Sequence, residues 1–251
     1  MSIIENYLKE EKLKNFKEIE QFQKYFDKMA KYMFGNVAIV IGNSDSKQIK
    51  YYLEEIEFYY NNDQIKEEEI TFITKDKKER KKDKKNFFSC TYKREREAKQ
   101  LFWHYSGVDI CFQSDKTCYG GILIRSMSKC KGDEDNTELI AGPLRCANEL
   151  VNQSVELKCI PQIKEIKRPN RIINIDDIGS TVRDGIETAE RYKDILENIN
   201  NDNVAKLSNF PFFCYFIKRE ENEWITKVSG KNVKYSSILK RMNYIIRPIP
   251  K

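Results

Sequence analysis

The chain has 251 residues, 40% of them apolar and 33% charged, so it is long enough to bury a sizeable core without a metal or disulfide staple and far too hydrophobic for a disordered chain. Its net charge of +6 is concentrated: Lys75 to Lys99 hold twelve basic and five acidic residues, leaving the other 226 residues at −1. No run of roughly 18 apolar residues exists, and charges are mixed through the N-terminus, so neither a membrane span nor a secretory signal is expected and the protein reads as intracellular. Seven cysteines without a CxxC pair point to reduced thiols, and a single histidine, His104, argues against a zinc site or a histidine-based triad. No metal or other cofactor is expected.

In chain order, apolar residues at three- and four-residue steps (Ile19, Phe22, Phe26, Met29, Met33) predict a helix over residues 3–33 that ends at Gly35. Val37 to Ile41 and Ile49 to Tyr60 read as strands of a hairpin around Gly-Asn-Ser-Asp. The basic segment 75–99 mixes acids with bases and includes Phe87, Phe88 and Tyr92, which suits either a phosphate-contacting loop or a solvated insertion. Leu101 to Phe112 and Gly121 to Met127 are short apolar strand-like runs, and Gly142-Pro143 opens a helix through Val151. A polar stretch from Gln153 to Arg171 precedes a strand at Ile172 to Ile175 and a helix from about Thr181 to Ile199. Phe210 to Ile217, Trp224 to Val228 and Met242 to Ile246 are strand-like. With no repeat and no clean linker, the chain reads as one α+β domain with a curved antiparallel sheet flanked by helices. Its parts are an N-terminal helix (1–35), a core (36–151) carrying the basic insertion, and a C-terminal part (152–251) that completes the sheet.

Three features bear on chemistry. Period-two alternation in Glu55-Ile56-Glu57-Phe58-Tyr59-Tyr60 puts Glu55, Glu57 and Tyr59 on the face opposite Ile56, Phe58 and Tyr60. A carboxylate there activates water while the ring stacks on a planar ligand, and an ordinary solvent-facing pair has the same pattern. Arg125 interrupts an apolar strand and needs an anionic partner, either a carboxylate such as Glu57 or Asp109 or a ligand phosphate. Asp109, between Val108 and Ile110, poses the same problem with the opposite sign. Trp103, His104 and Tyr105 at a strand or turn boundary read as core or as a wedge that inserts between bases.

The order of these motifs resembles the alkyladenine (3-methyladenine) DNA glycosylases. Glu57-Phe58-Tyr59 corresponds to a Glu-Ala-Tyr strand, the aromatic strand ending Val-Asp-Ile to one running into Met-Asn-Ile, Gly-Ile-Leu-Ile-Arg to a Val-Leu-Leu-Arg strand, and Gly-Pro to a Gly-Pro-Ser-Lys helix start. The likeness spans roughly residues 36–151. It implies a methylpurine-glycosylase-like, formyltransferase C-terminal-like fold and excision of a flipped damaged purine, with Glu57 as general base and Arg125 holding water and backbone. Tyr59 and Asp109 would line the base pocket, Arg145 would stand for the basic residue of the helix-start motif, and Trp103 or Tyr105 would be the wedge. The family's second aromatic wall, a histidine, falls on Thr74, and its pocket asparagine falls on Asp109. DNA, as duplex, is the implied partner, gripped by Lys77, Lys78, Arg80, Lys81, Lys82, Lys84 and Lys85; a protein partner would use the N-terminal helix. The rival expectations are a catalytically inactive nucleic-acid-binding module or an interaction subunit on the same scaffold.

Overall fold

The computed structural model describes residues 2–9, 11, 13–16, 18–43, 48–62, 95–115, 117–130, 137–169, 172–181, 213–218, 225–228, 231–234 and 247–248. The N-terminal helical region is two helices, α1 (Ile3–Leu8) and α2 (Ile19–Asn36), with a 3-10 turn at Leu13–Asn15 between them. A single helix cannot serve here, because Leu13 would lie about 140° around the axis from Leu8, yet both are fully buried in one core. The chain therefore bends at Lys9, whose backbone is extended. Ser2 and Glu5 form a capping box at the start of α1.

The expected hairpin is present as β1 (Val37–Ile41) and β2 (Ile49–Asn62), paired antiparallel. The run from Leu101 to Phe112 is two strands rather than one, β3 (Leu101–His104) and β4 (Gly107–Cys111), joined by a turn at Tyr105-Ser106. β5 (Cys118–Cys130) is followed by β6 (Thr137–Ala141) and by helix α3 (Pro143–Leu157), which starts with proline in its first turn as expected. β7 (Gln162–Glu165) lies inside the stretch read as polar: it is an edge strand that buries only Ile163. The strand expected at Ile172 to Ile175 is instead displaced to β8 (Ile178–Thr181), after a 3-10 turn at Ile175–Asp177. β9 (Cys214–Ile217) and β12 (Arg247–Pro248) complete the main sheet, while β10 (Ile225–Val228) and β11 (Lys231–Lys234) pair as a separate ribbon. The helix expected after Thr181 and the strand at 242–246 lie outside the described residues.

The main sheet has ten antiparallel strands and forks. Lys50 to Tyr52 of β2 pair with β5 on one side and β1 on the other, whereas Glu55 to Glu57 exchange β1 for β9. β5 makes the matching change, pairing with β4 through Gly121 to Leu123 and with β6 through Ser126 to Cys130. At the fork the β2–β5 register skips Glu54 and then Arg125, so one extra residue on each strand cancels and the pairing resumes in phase. This pair of bulges explains why Leu53 and Ile56, three apart, both reach the core. The resulting fold is a single α+β domain.

One face of the sheet carries the core. Phe22, Phe26, Met29 and Met33 of α2 and Cys146, Ala147 and Leu150 of α3 pack on Ile56, Phe58, Ile110, Ile122 and Ile124. Phe26 stacks on Phe58 with centroids 4.4 Å apart. A small polar network is sealed in beside it, with the Tyr215 hydroxyl donating to Asp27 at 2.7 Å and the Gln23 amide donating to both. Among the described residues no helix is long and apolar enough to cross a membrane.

Candidate functional site

The face opposite the core is built by register. Cross-strand neighbours in an antiparallel sheet point to one side, and one row runs Thr181, Cys214, Glu57, Leu123, Asp109, Phe102. Glu57 and Asp109 therefore share a face with Leu123 between them, about 10 Å apart at two strand spacings. The next row places Tyr59 opposite Gly121, which brings no side chain over the ring, with Cys111 beyond. Glu57 and Tyr59 stand on the expected face, but they are buried, at 2% and 4% exposure, and so are not an ordinary solvent-facing pair.

Arg125 has the partner its position demanded, and it is double. Its Nε donates to Glu55 Oε1 at 3.0 Å and its Nη1 donates to Glu57 Oε2. Glu55 is fully buried and also receives the Cys214 thiol at 3.6 Å. Two buried carboxylates therefore share one guanidinium, in surroundings where charge is weakly screened. The Arg125 carbonyl accepts the Gly142 amide at 2.8 Å, which ties the cluster to the start of α3. Arg145 lies in that first turn with its side chain exposed. A second buried pair, Arg168 with Glu54, closes the other side of the fork, where Arg168 also donates to Ser128 Oγ at 3.0 Å.

Asp109 does not reach Arg125 for its ion pair; its Oδ1 lies 3.2 Å from His104 Nε2. The Ser106 hydroxyl and amide meet His104 Nδ1 at 2.9 and 3.3 Å, so the only histidine is fixed at both ring nitrogens within the β3–β4 hairpin. Tyr105 is at the tip of this hairpin and 81% exposed, whereas Trp103 is 38% exposed and lines a groove together with Val151, Val155 and Ile160. The two wedge candidates thus have different surroundings.

The arrangement joins Glu57, Arg125, Tyr59 and Asp109 on one face. Thr74, Lys77, Lys78, Arg80, Lys81, Lys82, Lys84 and Lys85 lie outside the described residues. Glu55 lies on the face that alternation gives it, with Glu57 and Tyr59; the pairing of His104 with Asp109 escaped the sequence reading, because the two are five residues apart across a two-residue turn. Among the described residues no group of three or more His, Cys, Asp or Glu side chains is placed to hold a metal ion. The chain matches no family model, and no curated protein matches it in sequence.

Proposed function

We propose that this protein hydrolyses the N-glycosidic bond of a damaged purine nucleotide turned out of a DNA duplex, with Glu57 as the general base. The observation that carries the reading is the Arg125 fork on Glu57, set in one sheet row with Asp109 and beside Tyr59. Glu57 accepts a proton from water as the water oxygen bonds to C1′, and the base departs with the electron pair of the N–C1′ bond. Carboxylate oxygens facing the sugar favour the oxocarbenium character that develops on it. Tyr59 supplies a stacking face and Asp109 a hydrogen-bonding edge for the extruded base. The resemblance of four ordered motifs to the alkyladenine DNA glycosylases supports the same assignment.

A second reading takes the Arg125 cluster as a structural joint in a nucleic-acid-binding module without chemistry. It is favoured by one observation, that Arg125 engages both carboxylates at the point where the sheet forks. Release of free base from duplexes carrying hypoxanthine or a methylated purine separates the two readings: the glycosylase releases base, and the module binds duplex without releasing it.

A further inference from the structure

Arg96 is the one buried arginine among the described residues that has no carboxylate within ion-pair distance. Arg125 has Glu55 and Glu57, and Arg168 has Glu54. Arg96 is 9% exposed, its guanidinium carbon lies 3.6 Å above the centre of the Phe102 ring, and its Nε is buried with no hydrogen-bond acceptor among the described residues. The backbone holds it firmly, since its carbonyl accepts the Ser114 amide at 3.0 Å in an isolated bridge. Burying a guanidinium without a counter-charge is costly, and stacking on a ring offsets only part of that cost.

Arg96 lines a cleft of about 370 Å³ together with Glu95, Glu97, Gln100, Gln113, Ser114 and Asp115. Asp115 is already compensated: it accepts from Lys14 Nζ at 2.5 Å, and from the Thr117 and Cys118 amides. Glu95 and Glu97 are exposed and flank Arg96 in extended chain, where successive side chains alternate in direction. The position also matters. Phe102 ends the row that contains Asp109, Leu123 and Glu57, about 14 Å from Glu57 at three strand spacings, and the Arg96 guanidinium lies over its ring.

We propose that Arg96 is a phosphate-binding residue that receives a backbone phosphodiester flanking the nucleotide held at Glu57. This rests on the reading of that face as a nucleic-acid site, and it gives the 75–99 basic segment a folded, preorganised end. The Cys111 thiol takes one hydrogen bond from this side chain, and a planar guanidinium fixed by a ring, with its Nε–H unpaired, suits the oxygens of a phosphate.

The test uses the full chain and a fluorescent duplex carrying a tetrahydrofuran abasic analogue, with affinity measured by anisotropy between 50 and 200 mM salt. Arg96→Met should fold at least as stably as wild type, because it removes a buried charge that lacks a counter-ion. It should weaken binding about tenfold and reduce the slope of log affinity against log salt by about 0.9, the loss of one phosphate contact. Arg96→Lys should keep the slope, and Lys24→Gln, which removes an exposed charge from α2, should leave both affinity and slope unchanged. An Arg96→Met protein that fails to fold would show the arginine to be structural and overturn the proposal. So would a folded one with the wild-type slope, even where wild type releases base and the Glu57 reading stands. If wild type binds duplex without releasing base and Arg96→Met still flattens the slope, the chemistry fails and the phosphate site survives. Absence of any duplex binding overturns both.

Discussion

Glu54 on β2 and Arg125 on β5 are the two positions that the register between these strands skips, and together they turn an alternating pair of strands into a fork with buried charge on both sides. Arg125 then meets Glu55 and Glu57 on one side of the fork, and Glu54 meets Arg168 on the other. Removing the positive member of the first cluster strands two buried carboxylates. Arg125→Met should therefore cost about 3–5 kcal/mol in urea denaturation, and adding Glu55→Gln and Glu57→Gln should restore a large part of it. A loss below about 1 kcal/mol for Arg125→Met would mean that the cluster contributes little to the fork.

Alkaline pH should expose a second buried feature. Burial pushes the Cys111 thiol up to about 12 from 9.0, with Arg96 opposing through its charge, and burial pushes Tyr25 up to about 12 from 10.0. Both groups have folded values above their unfolded ones, so their contribution is complete below the unfolded pKa and is lost as pH rises toward 12. Stability should decline from about pH 9 upward. Cys111→Ala should lower the baseline but decline less between pH 8 and pH 10; equal declines would remove Cys111 from the account.

The hairpin makes a clean contrast. Tyr105 is exposed at the turn, so Tyr105→Ala should change stability by no more than about 0.5 kcal/mol while weakening duplex binding about tenfold. Trp103 is partly covered and lines a groove with Val151 and Val155 of α3, so Trp103→Ala should cost about 1–2 kcal/mol and leave affinity nearly unchanged. Chemical denaturation and anisotropy on the same two variants decide this, and the reverse pattern would make Trp103 the wedge.

Gly120 allows β5 to close on its neighbours. A Cβ there would meet the Tyr59 carbonyl oxygen at 2.5 Å and Phe112 Cδ2 at 2.7 Å, and backbone cannot swing away as a side-chain tip can. Gly120→Ala should cost about 1–3 kcal/mol by overpacking and should disturb the Tyr59 side of the site. A melting temperature equal to wild type would contradict this packing.

The legible parts of the chain were those where one periodicity held. Phe22, Phe26, Met29 and Met33 marked the buried stripe of α2, and Pro143 marked the start of α3, because helix spacing and first-turn chemistry are local. The demand for an anion at Arg125 was also visible, since a charge within an apolar strand must be compensated. What escaped were features set by pairing between distant segments. The bulges at Glu54 and Arg125 depend on β2 and β5 together, and β7 is a strand because β1 offers it an edge. His104 looked isolated in composition, yet a two-residue turn delivers it to Asp109.

Whether Glu57 acts as a base on water is read from single-turnover release of free purine from a lesion-containing duplex. Wild type should release base, and Glu57→Gln, folded and binding an abasic-analogue duplex with undiminished affinity, should release it at least about a hundredfold more slowly. Equal release by both proteins would contradict it, as would no release by a folded wild type that binds the duplex.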